Sequence, residues 1–180
     1  MRIISGQHKG RRINAPRQLP VRPTTDMAKE ALFNILQNRF YLEDTIILDL
    51  YAGTGNISYE FASRGCPDIL AVDAHAGCIR FIEDTAGQLQ LPIKAVKRDV
   101  LDFLEHQKAA FDIIFADPPY DQPLAEFQRL HHLVFGNALL KENGLLIIEH
   151  SGHTDLSDLP YFMQARKYGG SRFSLFARET

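Results

Sequence analysis

The 180-residue sequence predicts an α/β fold with a mostly parallel sheet flanked by helices, and two patterns carry that prediction. Four short apolar runs, Thr45–Leu50 (TIILDL), Ile69–Asp73 (ILAVD), Phe111–Ala116 (FDIIFA) and Leu145–Glu149 (LLIIE), have the length and branching of buried strands. Segments of helical periodicity lie between them, so strand and helix alternate from residue 45 onward. The first run opens into a glycine loop and the third into Asp117-Pro118-Pro119-Tyr120. Both motifs therefore stand at strand carboxyl ends, where open α/β sheets bind ligands.

Taken in order, residues 2–15 alternate weakly around a polar turn (QHKG) and predict a short β-hairpin or ribbon that carries arginines. Pro16 to Pro23 is proline-punctuated and irregular. Thr25 is a good N-cap and Asp26 complements the dipole of the next helix. Met27, Ala28, Ala31, Leu32, Ile35 and Leu36 carry that helix to about Phe40. After the glycine loop a helix runs through about Arg64, and another spans about Gly77 to Leu89. Ile93–Lys97 is a short strand that leads through Asp99 into a helix containing Leu101, Phe103 and Leu104. Beyond Asp121-Gln122-Pro123 a helix extends to about Leu140, and Asn143-Gly144 ends the connection to the next strand. Residues 151–160 are loop-like. Met163–Tyr168 and Arg172–Ala177, joined by Gly169-Gly170, form an antiparallel hairpin.

A chain of this length fits a single domain with a sizeable core, here a basic β extension over residues 1–23 followed by a main domain over 24–180. No apolar run reaches the ~18–20 residues of a membrane helix. The amino terminus has no secretory apolar segment, so the expected location is cytoplasmic, with no membrane partner. Cys66 and Cys78 lack ligand-like spacing and the histidines are scattered, so structural thiols are expected, with no metal site and no disulfide framework. Net charge is −2, yet Arg2, Lys9, Arg11, Arg12, Arg17 and Arg22 fall within residues 1–22 without one acid. Such an arm suits phosphates, and would make nucleic-acid binding salt-dependent; solubilising surface charge is the plainer reading.

Gly53 and Gly55, in Asp49-Leu50-Tyr51-Ala52-Gly53-Thr54-Gly55-Asn56, permit a tight turn and close approach of a ligand. Ser58 stands where a dinucleotide fingerprint has its third glycine, which disfavours NAD. Asp73 ends its strand 24 residues after Asp49, near the spacing at which a carboxylate takes the ribose hydroxyls of an adenosine; a solvated strand-end acid is the alternative. Asp99, beside Val100, serves equally as acceptor for an adenine amino group or as a helix N-cap. Thr24 and Thr25, behind Arg22, mark a helix amino terminus that suits a cofactor carboxylate, or simple capping. In Asp117-Pro118-Pro119-Tyr120 the prolines fix φ near about −65° and stiffen the turn. Tyr120 offers a stacking face, while Asp117 and the Pro118 carbonyl accept the N–H groups of a planar amine, with no proline N–H competing.

The glycine loop resembles the first motif of class I S-adenosylmethionine (SAM) methyltransferases, with Asp49 at the strand end. Taken with RIISG and KGRR at the amino terminus, RPTTD and KEALFN on the first helix, DLYAGTGNI and FADPPY, the chain resembles the RsmD family nearly end to end. These are bacterial guanine-N2 methyltransferases of small-subunit ribosomal RNA. The resemblance implies a Rossmann-like class I methyltransferase fold whose seven-stranded sheet has five parallel strands plus the terminal hairpin. It implies SAM as cofactor, held by Thr24, Thr25, Asp49, Tyr51, Ala52, Gly53, Thr54, Gly55, Asp73, Asp99 and Val100. It further implies Asp117, Pro118, Pro119 and Tyr120 as the catalytic turn, and small-subunit rRNA within an assembled or assembling 30S particle as partner. Met27 departs from the family, which usually has a basic residue there; Lys29 lies nearby on a different part of the helix. The same turn serves methylation of DNA adenine N6 and of protein glutamine. A chain that kept the fold without turnover would be an RNA-binding assembly module, against which the intact turn argues.

Overall fold

The computed structural model describes residues 1–20 and 24–178. Strands β1 (Ile46–Leu50), β2 (Asp68–Asp73), β3 (Ile93–Lys97), β4 (Phe111–Ala116), β5 (Leu140–Ser151), β6 (Phe162–Tyr168) and β7 (Ser171–Phe176) form one seven-stranded sheet. Its order is β3-β2-β1-β4-β5-β7-β6; the first five are parallel and the β7–β6 hairpin is antiparallel, as expected.

Alternate side chains of the central strands enter two cores. Leu48 and Leu50 of β1, Ile114 and Ala116 of β4, and Leu146 and Ile148 of β5 pack under α4 (Val100–His106) and α5 (Leu124–Gly136). Ile47, Ile113, Phe115, Leu145 and Ile147 pack under α1 (Asp26–Gln37) and α2 (Asn56–Ser63). On β2, Ala71 is covered by Ile79 and Ile82 of α3 (Ala76–Leu89). Burial on both faces is why these strands read as continuous apolar runs. Strand order reverses at β1, with β2 and β3 to one side and β4 and β5 to the other, which opens a crevice at the carboxyl ends.

Two helices stop before their apolar periodicity does. α1 ends at Gln37 rather than about Phe40: the last turn tightens, with the Arg39 N–H on the Leu36 carbonyl at 3.0 Å, and the Phe40 ring packs onto the core. α5 ends at Gly136 rather than about Leu140. Ala138 turns left-handed (φ 53°), Leu139 is fully buried beyond it, and Leu140 already pairs with Phe111 in β5. Asn143 (φ 62°) and Gly144 then lie inside β5, at an irregularity between the Phe111–Leu140 and Ile113–Leu145 pairs, and not in the connection before it.

The amino-terminal ribbon is closed by one antiparallel bridge, Arg2 with Arg12, and by the Ile3 N–H on the Arg11 carbonyl at 2.9 Å. Ile3 and Ile13 bury against Tyr59 of α2. Gly6, at φ 82°, comes so near α2 that a Cβ there would sit 1.8 Å from the Ser63 carbonyl oxygen. Beneath the ribbon, the buried Glu60 accepts the N–H groups of Ile4 and Ser5 at 2.8 and 3.1 Å. It also pairs with Arg64 at 2.8 Å and with the buried Lys29 at 3.4 Å. Lys29 donates to the Arg2 carbonyl at 2.5 Å and to Asn56 Oδ1 at 2.8 Å, so one polar cluster joins ribbon, α1 and α2. Burial pulls the Lys29 ammonium below its ordinary pKa, with Glu60 opposing. Among the described residues no helix is long and apolar enough to cross a membrane.

Candidate active site

Where β1 ends, Tyr51 adopts φ 56°, a left-handed conformation that a bulky side chain keeps only when its surroundings hold it there. The chain crosses toward β2, the Ala52 N–H meeting the Val72 carbonyl at 3.1 Å. Gly53 donates its N–H to Asp73 Oδ2 at 2.9 Å, and the His75 N–H reaches Asp73 Oδ1 at 2.8 Å. Gly55 (φ 86°) starts α2, and a Cβ there would meet the Tyr59 ring at 2.8 Å. The position therefore has no room for a side chain beside Tyr59 and Ile82.

Asp49 lies behind the loop, 1% exposed, and accepts the Ser58 hydroxyl at 2.5 Å. Burial pushes its carboxyl up to about 7, opposed by the Ser58 hydrogen bonds. Ser58, which in the sequence registered only as a missing glycine, anchors this acid.

Across the crevice, the Asp117 N–H lies 3.3 Å from the Leu50 carbonyl, which brings the Asp-Pro-Pro-Tyr turn beside the end of β1. The Tyr120 hydroxyl donates to Glu149 Oε1 at 3.3 Å, and the Thr24 hydroxyl to Glu149 Oε2 at 3.4 Å. Asn56 Nδ2 donates to the Thr24 carbonyl at 3.2 Å. Thr25 caps α1, accepting the Ala28 N–H at 3.2 Å, and Asp99 caps α4, accepting the Asp102 N–H at 3.0 Å. Both capping readings hold, and both residues still stand on the cavity wall.

These segments enclose a cavity of about 620 Å³. Thr24, Thr25, Asp49, Tyr51, Ala52, Gly53, Thr54, Asp73, Asp99 and Val100 share it with Asp117, Pro118, Pro119 and Tyr120. The wall also holds Met27, Asn56, His75, Glu149 and the hairpin tip Tyr168 to Ser171, none of which sequence reasoning had assigned to the site. Glu149 had a readable signal, since it ends an apolar strand run as Asp73 does. The hairpin tip had none, because its approach depends on the pairing of β7 with β5. Besides Asp49, held toward its neutral form by burial, the described lining residues carry four carboxyl groups, Asp73, Asp99, Asp117 and Glu149, and neither lysine nor arginine, so the cavity is negative.

Lys9, Arg11, Arg12 and Arg17 are exposed and lie outside the cavity, as does Arg2, whose guanidinium pairs with Asp26 at 2.9 Å. Arg22 and Pro23 lie outside the described residues. Cys66 and Cys78 are buried, their thiols pushed up to about 11 by burial, as suits structural thiols. The one grouping of candidate metal ligands among the described residues, Asp102, Glu105 and His106, is exposed on α4, with Asp102 already paired to Arg98.

A parallel sheet that reverses order beside a glycine loop, with the neighbouring strand's acid pinning that loop, is the architecture of the class I methyltransferases. The T. thermophilus methyltransferase RsmC shares it at TM-score 0.72 and 21% identity, over 89% of this chain and 45% of that one, a likeness of fold alone. The chain belongs to the family described as Conserved hypothetical protein 95, which matches residues 1–177 and is the RsmD family that its motifs resemble. Bacillus subtilis YlbH is 33% identical over 163 residues, 88% of this chain and 86% of that protein. The Escherichia coli protein called ribosomal RNA small subunit methyltransferase D is 28% identical over 183 residues, 99% of this chain and 90% of that protein. The solved structure of E. coli yhhF superposes at TM-score 0.85 and 28% identity, covering 99% of this chain and 98% of that one.

Proposed function

We propose that this chain transfers a methyl group from SAM to the exocyclic N2 of a guanine in small-subunit ribosomal RNA. The observation that carries the reading is that the glycine loop and the Asp-Pro-Pro-Tyr turn open into the same acid-lined cavity. A negative cavity suits a cationic sulfonium donor and repels the pyrophosphate that a dinucleotide would bring to the loop. The residues present fit SAM: Asp73 to take the ribose hydroxyls, Asp99 and Val100 at the adenine end, and Tyr51 to Thr54 along the body of the cofactor. When bound, it supplies an electrophilic methyl group on sulfur.

The chain's own residues act on the amine, a poor nucleophile because its lone pair is delocalised into the base. Asp117 and the Pro118 carbonyl each accept one N–H, favouring a pyramidal nitrogen, while Pro119 keeps the turn stiff. Tyr120 stacks on the base, a contact worth about 1–3 kcal/mol. Holding the reacting atoms about 3–3.5 Å apart supplies much of the acceleration, and the charge placed at the nitrogen supplies more. As the N–C bond forms, the methyl–sulfur bond of the donor would break with its electron pair left on sulfur as a neutral thioether, and the proton lost from the nitrogen passes to Asp117 or to water.

A base enters such a pocket only when single-stranded or flipped out of its helix. Lys9, Arg11, Arg12 and Arg17, on the extension of residues 1–23, hold the flanking phosphates, with Arg2 shared between RNA and Asp26. The name of the E. coli relative, ribosomal RNA small subunit methyltransferase D, supports small-subunit ribosomal RNA as the substrate class; an assembling or assembled 30S particle in the cytoplasm is the setting we propose for it. Methyl-labelled SAM offered separately with small ribosomal subunits, DNA and peptides tests the reading. Label is expected in subunit RNA, at one guanine that is unmodified in cells lacking this protein. Label in DNA or peptide, or no turnover with any acceptor, would contradict it.

A further inference from the structure

We infer that Glu149 reads the acceptor base, its carboxylate taking the ring N1–H of the guanine while Asp117 takes the adjacent 2-amino group. The inference rests on the guanine reading above. Asp117 and Glu149 each stand one residue past the paired Ala116 and Ile148 on neighbouring parallel strands. Such strands run about 4.8 Å apart, and residues level across them point to the same face. Both acids accordingly lie on the wall of the one cavity.

Glu149 is only 3% exposed, and the hydroxyls that reach it come from Tyr120, the ring that stacks the base, and Thr24, at the mouth of α1. A carboxylate held in that way is a fixed acceptor beside the stacking surface. Guanine presents two adjacent donors, N1–H and the 2-amino group, which match two adjacent acceptors. Adenine presents an unprotonated N1 there, an acceptor facing an acceptor, and a buried polar group left unpaired is costly. Sequence reading saw in Glu149 only the end of an apolar strand.

The test uses subunit RNA ligated to carry either guanine or 2-aminopurine at the methylated position and reconstituted into subunits. 2-Aminopurine keeps the 2-amino group but has no proton on N1. The wild-type protein is expected to favour guanine by about tenfold or more in kcat/KM. Glu149→Gln, whose amide donates to an unprotonated N1, should bring that ratio to about one or invert it, with SAM affinity and Tm retained. Equal use of both bases by the wild type overturns the inference whether or not the variant folds, as does an unchanged ratio in a folded variant. Failure of the guanine reading itself looks different, since the wild type would then methylate no guanine in the subunit at all.

Discussion

Asp73 and Gly53 are joined by a 2.9 Å hydrogen bond from the glycine N–H to the carboxylate, so the acid proposed for the ribose also holds the glycine loop that lines the cavity. Asp73→Ala removes both functions at once. Hydrogen bonds to charged groups contribute about 1.5–3 kcal/mol, so SAM affinity should fall about 10- to 100-fold. Asp73→Asn, which keeps one acceptor, should fall less. Calorimetric titration checks this; an Ala variant that binds SAM like the wild type would refute the assignment.

The buried carboxyl of Asp49 is protonated in the folded protein up to about 7, against an ordinary value of 3.8. Because the folded pKa is raised, its stabilising contribution is full below the unfolded pKa and is lost as pH rises through about 7. Urea melts of the cofactor-free protein should show this loss across that window, and Asp49→Asn should remove it. A cationic ligand favours the ionised form, so SAM binding should release protons near neutral pH in the wild type and not in Asp49→Asn. Heats of binding that do not depend on the buffer would contradict this.

Lys29 stabilises the junction of ribbon, α1 and α2 from inside, through Glu60, Asn56 and the Arg2 carbonyl. Removing one partner of a buried ion pair costs about 3–5 kcal/mol, so Lys29→Met should destabilise the chain by that order in urea unfolding. A change within about 0.5 kcal/mol, the usual range for a surface substitution, would show that the cluster is not holding the junction.

Arg11 and Arg12, exposed on the ribbon, act on RNA alone in this scheme. Arg11→Ala with Arg12→Ala should flatten the dependence of log K on log salt by about 1.4–1.8, the loss of two phosphate contacts, with SAM affinity unchanged. Gly6→Ala should weaken RNA binding without removing any charge, because its Cβ collides with the Ser63 carbonyl and lifts the ribbon from α2. An unchanged salt slope in the double variant would remove the ribbon from the RNA surface.

Strands buried on both faces, such as FDIIFA, were legible because their apolar runs are short and unbroken. The glycine loop and the Asp-Pro-Pro-Tyr turn were legible because each demands particular backbone angles. Lys29 was not, since a lysine in an amphipathic helix reads as solvent-facing unless the partner that buries it is known, and Glu60 lies on another helix. The ends of α1 and α5 were missed because Phe40, Leu139 and Leu140 continue a helical pattern while serving the core and β5 instead. Gly55 matched a motif position, and the structure adds a local reason for it, since its lack of a side chain makes room for the Tyr59 ring.

Single-turnover methyl transfer by Asp117→Ala, with SAM saturating and small subunits as acceptor, bears most directly on the central claim. The rate should fall by about 100- to 1,000-fold, the loss expected when one preorganised group at the reacting atom is removed, while SAM affinity stays near that of the wild type. Transfer at close to the wild-type rate would show that the Asp-Pro-Pro-Tyr turn does not hold the accepting amine.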